Sequence, residues 1–217
     1  MKTFVKFCGI TDATALADAP EEDGAIGLVI GVPGSPRNLP IPRATEIAAE
    51  VPSRLEIWGV MVDPTLDAIR EAFEGIGVDW IQVHGRIPEG LDRIEYHRIV
   101  PSVPVPPGGA EVEPPTPPED AEFRRVHLDV AGGSMPGGTG ATPSWPACAR
   151  LVDALPGRKV VLGGGLTPEN VGEAIAHVHP WGVDVSSGIE SSPGRKDPDR
   201  MRRFRAAVRA ADGGGHA

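Results

Sequence analysis

Aromatic residues are scarce in this chain: five Phe, four Trp and one Tyr make up 5% of 217 residues. Cysteine is scarcer. Cys8 and Cys148 lie far apart and in no ligand-spaced motif, which argues against a disulfide framework and against a structural zinc site. Positive charge is in the minority: 21 Lys and Arg against 30 Asp and Glu leave a formal net charge of −9. That balance argues against non-specific binding to nucleic acid or to an anionic membrane, and it leaves room for a local basic pocket. No apolar run approaches the roughly eighteen residues of a membrane span. Lys6 and Asp12 interrupt any signal-peptide-like apolar segment. A cytoplasmic protein is expected.

What the chain has in abundance is glycine and proline, 28 and 24 residues, roughly a quarter of the whole. That lies just under the level at which a non-periodic chain reads as low-complexity. The glycines follow no three-residue period, which excludes collagen. Apolar residues still make up 40%, enough for a core without staples. The length suits a single α/β barrel. One domain is expected over residues 1–212, with 213–217 as a frayed tail.

Short Val- and Ile-rich runs occur at Phe4–Phe7, Ala25–Ile30, Glu56–Val62, Trp80–Val83, Val126–Val130, Val160–Leu162 and Gly182–Val185. They are continuous rather than alternating, as in parallel strands covered on both faces. Helical patterns fall between them at Thr45–Val51, Thr65–Glu74 behind an Asp63-Pro64 start, Leu91–Ile99, Trp145–Leu155, the stretch from Thr167, and Asp197–Ala211. Repeated strand–helix units predict a (β/α)8 TIM barrel. The eighth strand must lie between Ile99 and Val126, where residues 101–118 hold eight prolines. Proline cannot donate to a ladder, so a three-residue remnant at Val103–Val105 followed by a polyproline-like loop is expected around strand 5 and helix 5.

In such barrels reactive groups stand at the C-terminal strand ends. Cys8 ends the first strand, as a reactive thiol or as a small buried hydrophobe. Asp129 ends the sixth, as a reactive carboxylate or as a loop cap. Arg37 sits on a proline-stiffened turn, where a guanidinium suits a carboxylate or a phosphate; the bland alternative is a solvated loop arginine. Gly163–Gly165 and Ser186–Gly188 follow the last two strands, the places where these barrels often bind phosphate. Gly137–Gly140 reads as a long loop over the site. Gln82 and His84 share one side of the fourth strand, and His84 reads as a site residue or as a structural histidine.

Taken together, Lys6–Thr11, Ser35-Pro36-Arg37, Gln82–Gly85, Leu128-Asp129, Gly137–Gly140, Gly164–Val171 and Val183–Glu190 resemble phosphoribosylanthranilate isomerase. The motifs occur in that family's order along almost the whole chain. The resemblance implies an Amadori rearrangement of N-(5-phosphoribosyl)anthranilate to 1-(2-carboxyphenylamino)-1-deoxyribulose 5-phosphate in tryptophan biosynthesis, without metal or cofactor. It implies Cys8 as general base and Asp129 as general acid. Arg37 would hold the anthranilate carboxylate, and Gly164, Gly165, Ser187 and Gly188 the phosphate. Gln82, His84 and Asp184 are further candidate substrate contacts. The expected partner is the small phosphorylated substrate, with no nucleic acid and no membrane, and the protein is a monomer or a homodimer. The altered strand 5 also admits a related barrel acting on another phosphorylated aminoaldose, or a catalytically silent phosphometabolite-binding or interaction protein.

Overall fold

The structure, a computed structural model, describes residues 2–21, 24–106, 116–117, 122–130 and 145–213. The expected glycine loop at 137–140 lies outside these residues, as does most of the proline block.

Eight parallel strands form the frame: β1 (Phe4–Cys8), β2 (Gly24–Ile30), β3 (Leu55–Val62), β4 (Trp80–His84), β5 (Ile99–Val105), β6 (Arg125–Val130), β7 (Lys159–Gly163) and β8 (Gly182–Val185). Each pairs with its neighbours in sequence order, and β1 pairs with both β2 and β8, so the barrel closes. Closure removes sheet edges and places alternate residues of every strand inside. The helices are α1 (Ile41–Glu50), α2 (Leu66–Glu71), α3 (Arg93–His97), α4 (Trp145–Asp153), α5 (Val171–Val178) and α6 (Pro198–Gly213). Their apolar faces cover the outer strand residues; Phe204 of α6, for example, meets Phe7 edge-on with ring centroids 6.1 Å apart.

Three expectations are corrected. The eighth strand is no remnant: β5 has seven residues and pairs with both β4 and β6. Pro101 and Pro104 lie three apart, hence on opposite sides of the strand's hydrogen-bonding alternation. Each ladder therefore loses one donor, rather than one ladder losing two. Buried Ile99, Val100, Val103 and Val105 hold the strand in place. Second, α2 is capped by Thr65, whose hydroxyl accepts from the Ala68 N–H, and not by Asp63. Asp63 turns away at φ 43° and accepts from the Arg86 N–H at 2.7 Å. The helix then widens into a π-turn over Ala72–Ile76. Third, α6 runs two residues beyond the expected end at Ala211, through Gly213. The expected reduction of the fifth helix falls on residues 107–121, most of which lie outside the described residues.

The few aromatics have one main use. Phe4, Trp58, Trp80 and Trp181 gather at the N-terminal end of the barrel around the buried guanidinium of Arg125, which lies 3.9 Å from the Trp80 ring centroid and 4.9 Å from that of Trp181. Glu56 supplies the counter-charge, accepting from Arg125 at 2.5 and 2.7 Å and from the Trp58 indole at 2.9 Å. Stacking on aromatic faces suits the planar, weakly hydrated guanidinium, and the carboxylate offsets the cost of its burial. This plug closes the end of the barrel opposite the site. Glu56→Ala leaves Arg125 buried without its anion. A loss of about 2 kcal/mol is expected in urea unfolding, discounted from the fully buried case because Glu56 is partly exposed.

Candidate active site

Alternation along β1 turns Phe4, Lys6 and Cys8 inward, one above another. Lys6 is fully buried, and Cys8 above it is buried at the C-terminal mouth. Gly27 on β2 makes room for both: an added Cβ there would lie 2.9 Å from the Cys8 sulfur and 3.2 Å from Lys6 Cε. Burial pushes the Cys8 thiol above its ordinary range, while the Lys6 and Lys196 ammonium groups pull it down. Cations near a thiol are what make a thiolate accessible.

Asp129, near the end of β6, keeps its side chain partly exposed at the mouth, with His84 Nδ1 3.8 Å from its carboxylate. His84 ends β4 and is pushed down to about 4, by burial and by the neighbouring His127. It is therefore a neutral ring at physiological pH. Gln82 lies one layer deeper, almost wholly buried, with its amide nitrogen 2.9 Å from His84 Nε2. It supports His84 rather than opening onto the mouth.

Arg37 reaches the same rim from the loop after β2. Its Nε and Nη2 form a two-pronged pair with Glu190 at 2.7 and 2.6 Å, and its Nη1 has no hydrogen bond among the described residues. Lys196 joins Glu190 at 2.8 Å and donates to the Ser186 carbonyl at 3.1 Å. Glu190 and Lys196 lie on two short antiparallel strands, Glu190–Ser192 and Arg195–Lys196, that follow β8. Neither residue was singled out in the sequence, although Glu190 closes one of the quoted motifs, because a charged residue gives no local sign of a distant partner.

The glycine loops meet as expected. Gly164 and Gly165 both have positive φ, 86° and 67°. A Cβ on Gly188 would overlap the Leu166 carbonyl, so only glycine lets the two loops touch. Between them opens a cavity of about 310 Å³ lined by Gly165, Thr167, Ser187 and Gly188, with Arg200 and Arg203 from α6. Backbone N–H groups and two guanidinium groups suit a phosphate. The arginines escaped sequence reading because α6 was read for its apolar face.

Asp184, inward on β8, is almost wholly buried. One oxygen pairs with Lys6 Nζ at 3.0 Å and the other with His127 Nε2 at 3.1 Å. Its carboxyl falls to about 2 because Lys6 and His127 outweigh the cost of burial. Among the described residues no cluster of three or more His, Cys, Asp or Glu side chains could hold a metal ion.

These parts make a thiol, a carboxylic acid, an arginine and an anion cradle around one barrel mouth. The family model for N-(5′-phosphoribosyl)anthranilate isomerase matches residues 5–207. The chain belongs to that family. A relative from Haloferax volcanii, named N-(5′-phosphoribosyl)anthranilate isomerase, is 40% identical over 97% of this chain and 95% of its own length. The phosphoribosyl anthranilate isomerase of Thermotoga maritima superposes with a TM-score of 0.76 at 32% identity, covering 97% of this chain and all of that one. A further isomerase structure, in complex with reduced 1-(o-carboxyphenylamino)-1-deoxyribulose 5-phosphate, superposes at 0.73 with 30% identity, covering 97% of this chain and 100% of that one.

The depressed Asp184 carboxyl makes a stability prediction. Its folded value lies below its unfolded value near 4. Its contribution is thus complete above pH 4 and is lost as pH falls through about 2. Wild type is expected to exceed Asp184→Asn by roughly 2 kcal/mol near pH 6, in denaturant unfolding followed across pH, with the gap closing toward pH 2.

Proposed function

We propose that Cys8 and Asp129 are the base and acid of this family's isomerisation, with Arg37 and the glycine loops holding the two ends of the substrate. The chain is an enzyme, and its reaction converts N-(5-phosphoribosyl)anthranilate to 1-(2-carboxyphenylamino)-1-deoxyribulose 5-phosphate in tryptophan biosynthesis. The observation that carries the residue roles is the placement of one acid and one thiol on opposite parts of a single mouth, β6 and β1, beside a phosphate-sized cradle.

In this reading the phosphate enters the cavity between Gly165 and Ser187–Gly188, with Arg200 and Arg203 adding charge and Gly164 shaping the turn beside it. The anthranilate carboxylate engages Arg37 through the Nη1 side left open by Glu190. Asp129 donates its proton to the ribose ring oxygen, and the C1–O bond breaks to give a Schiff base. Cys8, as thiolate, removes the proton from C2, and the electron pair flows toward nitrogen to give an enolamine that tautomerises to the ketose. Lys6 and Lys196 favour the thiolate that this step requires. Neutral His84 beside Asp129 orients the acid and reaches the sugar hydroxyls, with Gln82 behind it. Asp184 supports the sugar side from below. A related structure describes monomers generated from a dimeric isomerase of Thermotoga maritima, so either a monomer or a homodimer is compatible with the reaction here. The reaction uses a soluble metabolite, which fits a cytoplasmic enzyme. No helix among the described residues is long and apolar enough to cross a membrane.

The test is the decay of anthranilate fluorescence on adding the protein to freshly generated phosphoribosylanthranilate. Cys8→Ala and Asp129→Asn are each expected to lower kcat by roughly 10²-fold or more. Normal kcat in either variant removes that residue from its role.

A further inference from the structure

Among the described residues His127 is the one buried histidine, and the reaction as described does not use it. It points inward from β6 between two polar partners: Nε2 faces the Asp184 carboxylate at 3.1 Å, and Nδ1 faces the Ser102 hydroxyl of β5 at 2.9 Å. An ionised Asp184 can only accept, so Nε2 carries the hydrogen. In the neutral ring Nδ1 then accepts from the Ser102 O–H. The other Asp184 oxygen holds Lys6, and the Lys6 side chain and the Cys8 sulfur lie side by side over Gly27, where one added Cβ would meet both. Five side chains from four strands thus form one chain, Ser102–His127–Asp184–Lys6–Cys8, running from the barrel interior to the thiol.

A second observation points to the same histidine. Gly163 ends β7 without a positive φ, so no backbone strain requires glycine there. What requires it is the ring: a Cβ on Gly163 would overlap His127 Nε2. The space beside β7 is left open for an imidazole in contact with Asp184.

We propose that His127 is a positioning residue for the isomerisation, holding Asp184 on Lys6 so that the Lys6 ammonium stays charged and aimed at the Cys8 sulfur. The proposal rests on the reading of Cys8 as the base. Burial by itself favours loss of the Lys6 proton; Asp184 and the sulfur reverse this and hold Lys6 above its ordinary value. A fixed cation beside the sulfur favours thiolate in a site where water cannot screen it. The charged groups facing Cys8 are Lys6 from its own strand, Asp184 from β8, Lys196 from the hairpin and Arg37 from the loop after β2. Of these, Lys6 and Asp184 are the pair His127 controls. His84, with its ring centroid 6.0 Å from that of His127, is the other titratable neighbour of the imidazole, and it stays neutral.

The test is the pH dependence of kcat/KM, whose ascending limb reports thiolate formation. In His127→Leu, kcat near pH 7 is expected to fall about tenfold with KM changed less than about twofold, and the limb to move up by about half a unit to one unit. His127→Gln, whose amide N–H reaches the Nε2 position, is expected to bring the limb back. Gly163→Ala keeps the histidine but displaces its ring, and is expected to shift the limb in the same direction as His127→Leu; it serves alone if the leucine variant fails to fold. A folded variant of either kind with its limb in place overturns the proposal, whatever its rate. Cys8→Ala separates the two readings. Activity in that variant ends the assignment of the base and with it this proposal, whereas an inactive Cys8→Ala beside an unshifted His127→Leu ends only the role of His127.

Discussion

The buried ion pair between Lys6 and Asp184 organises this barrel. A closed sheet sends alternate residues of eight strands into a space without bulk water, and any charge placed there must meet its opposite. Lys6 comes from β1 and Asp184 from β8, adjacent strands that join the two ends of the chain's β-structure. Below the pair, the aromatic plug around Arg125 and Glu56 seals the barrel. Above it stand Cys8, His84 and Asp129 at the C-terminal mouth. Removing either partner leaves a desolvated charge between the sealed floor and the mouth, so the pair is a condition of stability.

Charge is distributed against the chain's average. The net charge is −9, yet Lys6, Lys196, Arg37, Arg200 and Arg203 all stand at or beneath the mouth. On the proposed reading, a substrate with a phosphate at one end and a carboxylate at the other meets cations in both places. Glu190 tempers this concentration. Bound by Arg37 and Lys196 at once, it fixes the guanidinium in one orientation.

Much of the architecture was legible in the chain. Seven strands, the order of helices, the strand-end thiol and carboxylate, and the two glycine loops all follow from local pattern and ordinal position. The misses have separate physical causes. Prolines argued against a full β5, but parallel pairing spreads two missing donors over two ladders, and burial on both faces outweighs them. With β5 restored, the departure at strand 5 no longer motivates a shifted substrate. Asp63 looks like a cap in sequence, yet Thr65 has the geometry. Arg37 was singled out in the sequence, but its Glu190 partner lies 153 positions away, and no local pattern reports such a distance.

By itself the sequence determined which residue types stand at which strand ends, because strand period and βα order fix the face and the rim position of each side chain. Only the tertiary structure decided which of them touch. Closure of the barrel brings β1 against β8 and β6 within reach of β8, and so gathers Lys6, Asp184 and His127 into one network. His127 shows the difference most clearly. In the chain it is an unremarked residue before Leu128-Asp129. In the fold it is a buried, doubly bonded imidazole, because a glycine 36 positions on leaves room for its ring.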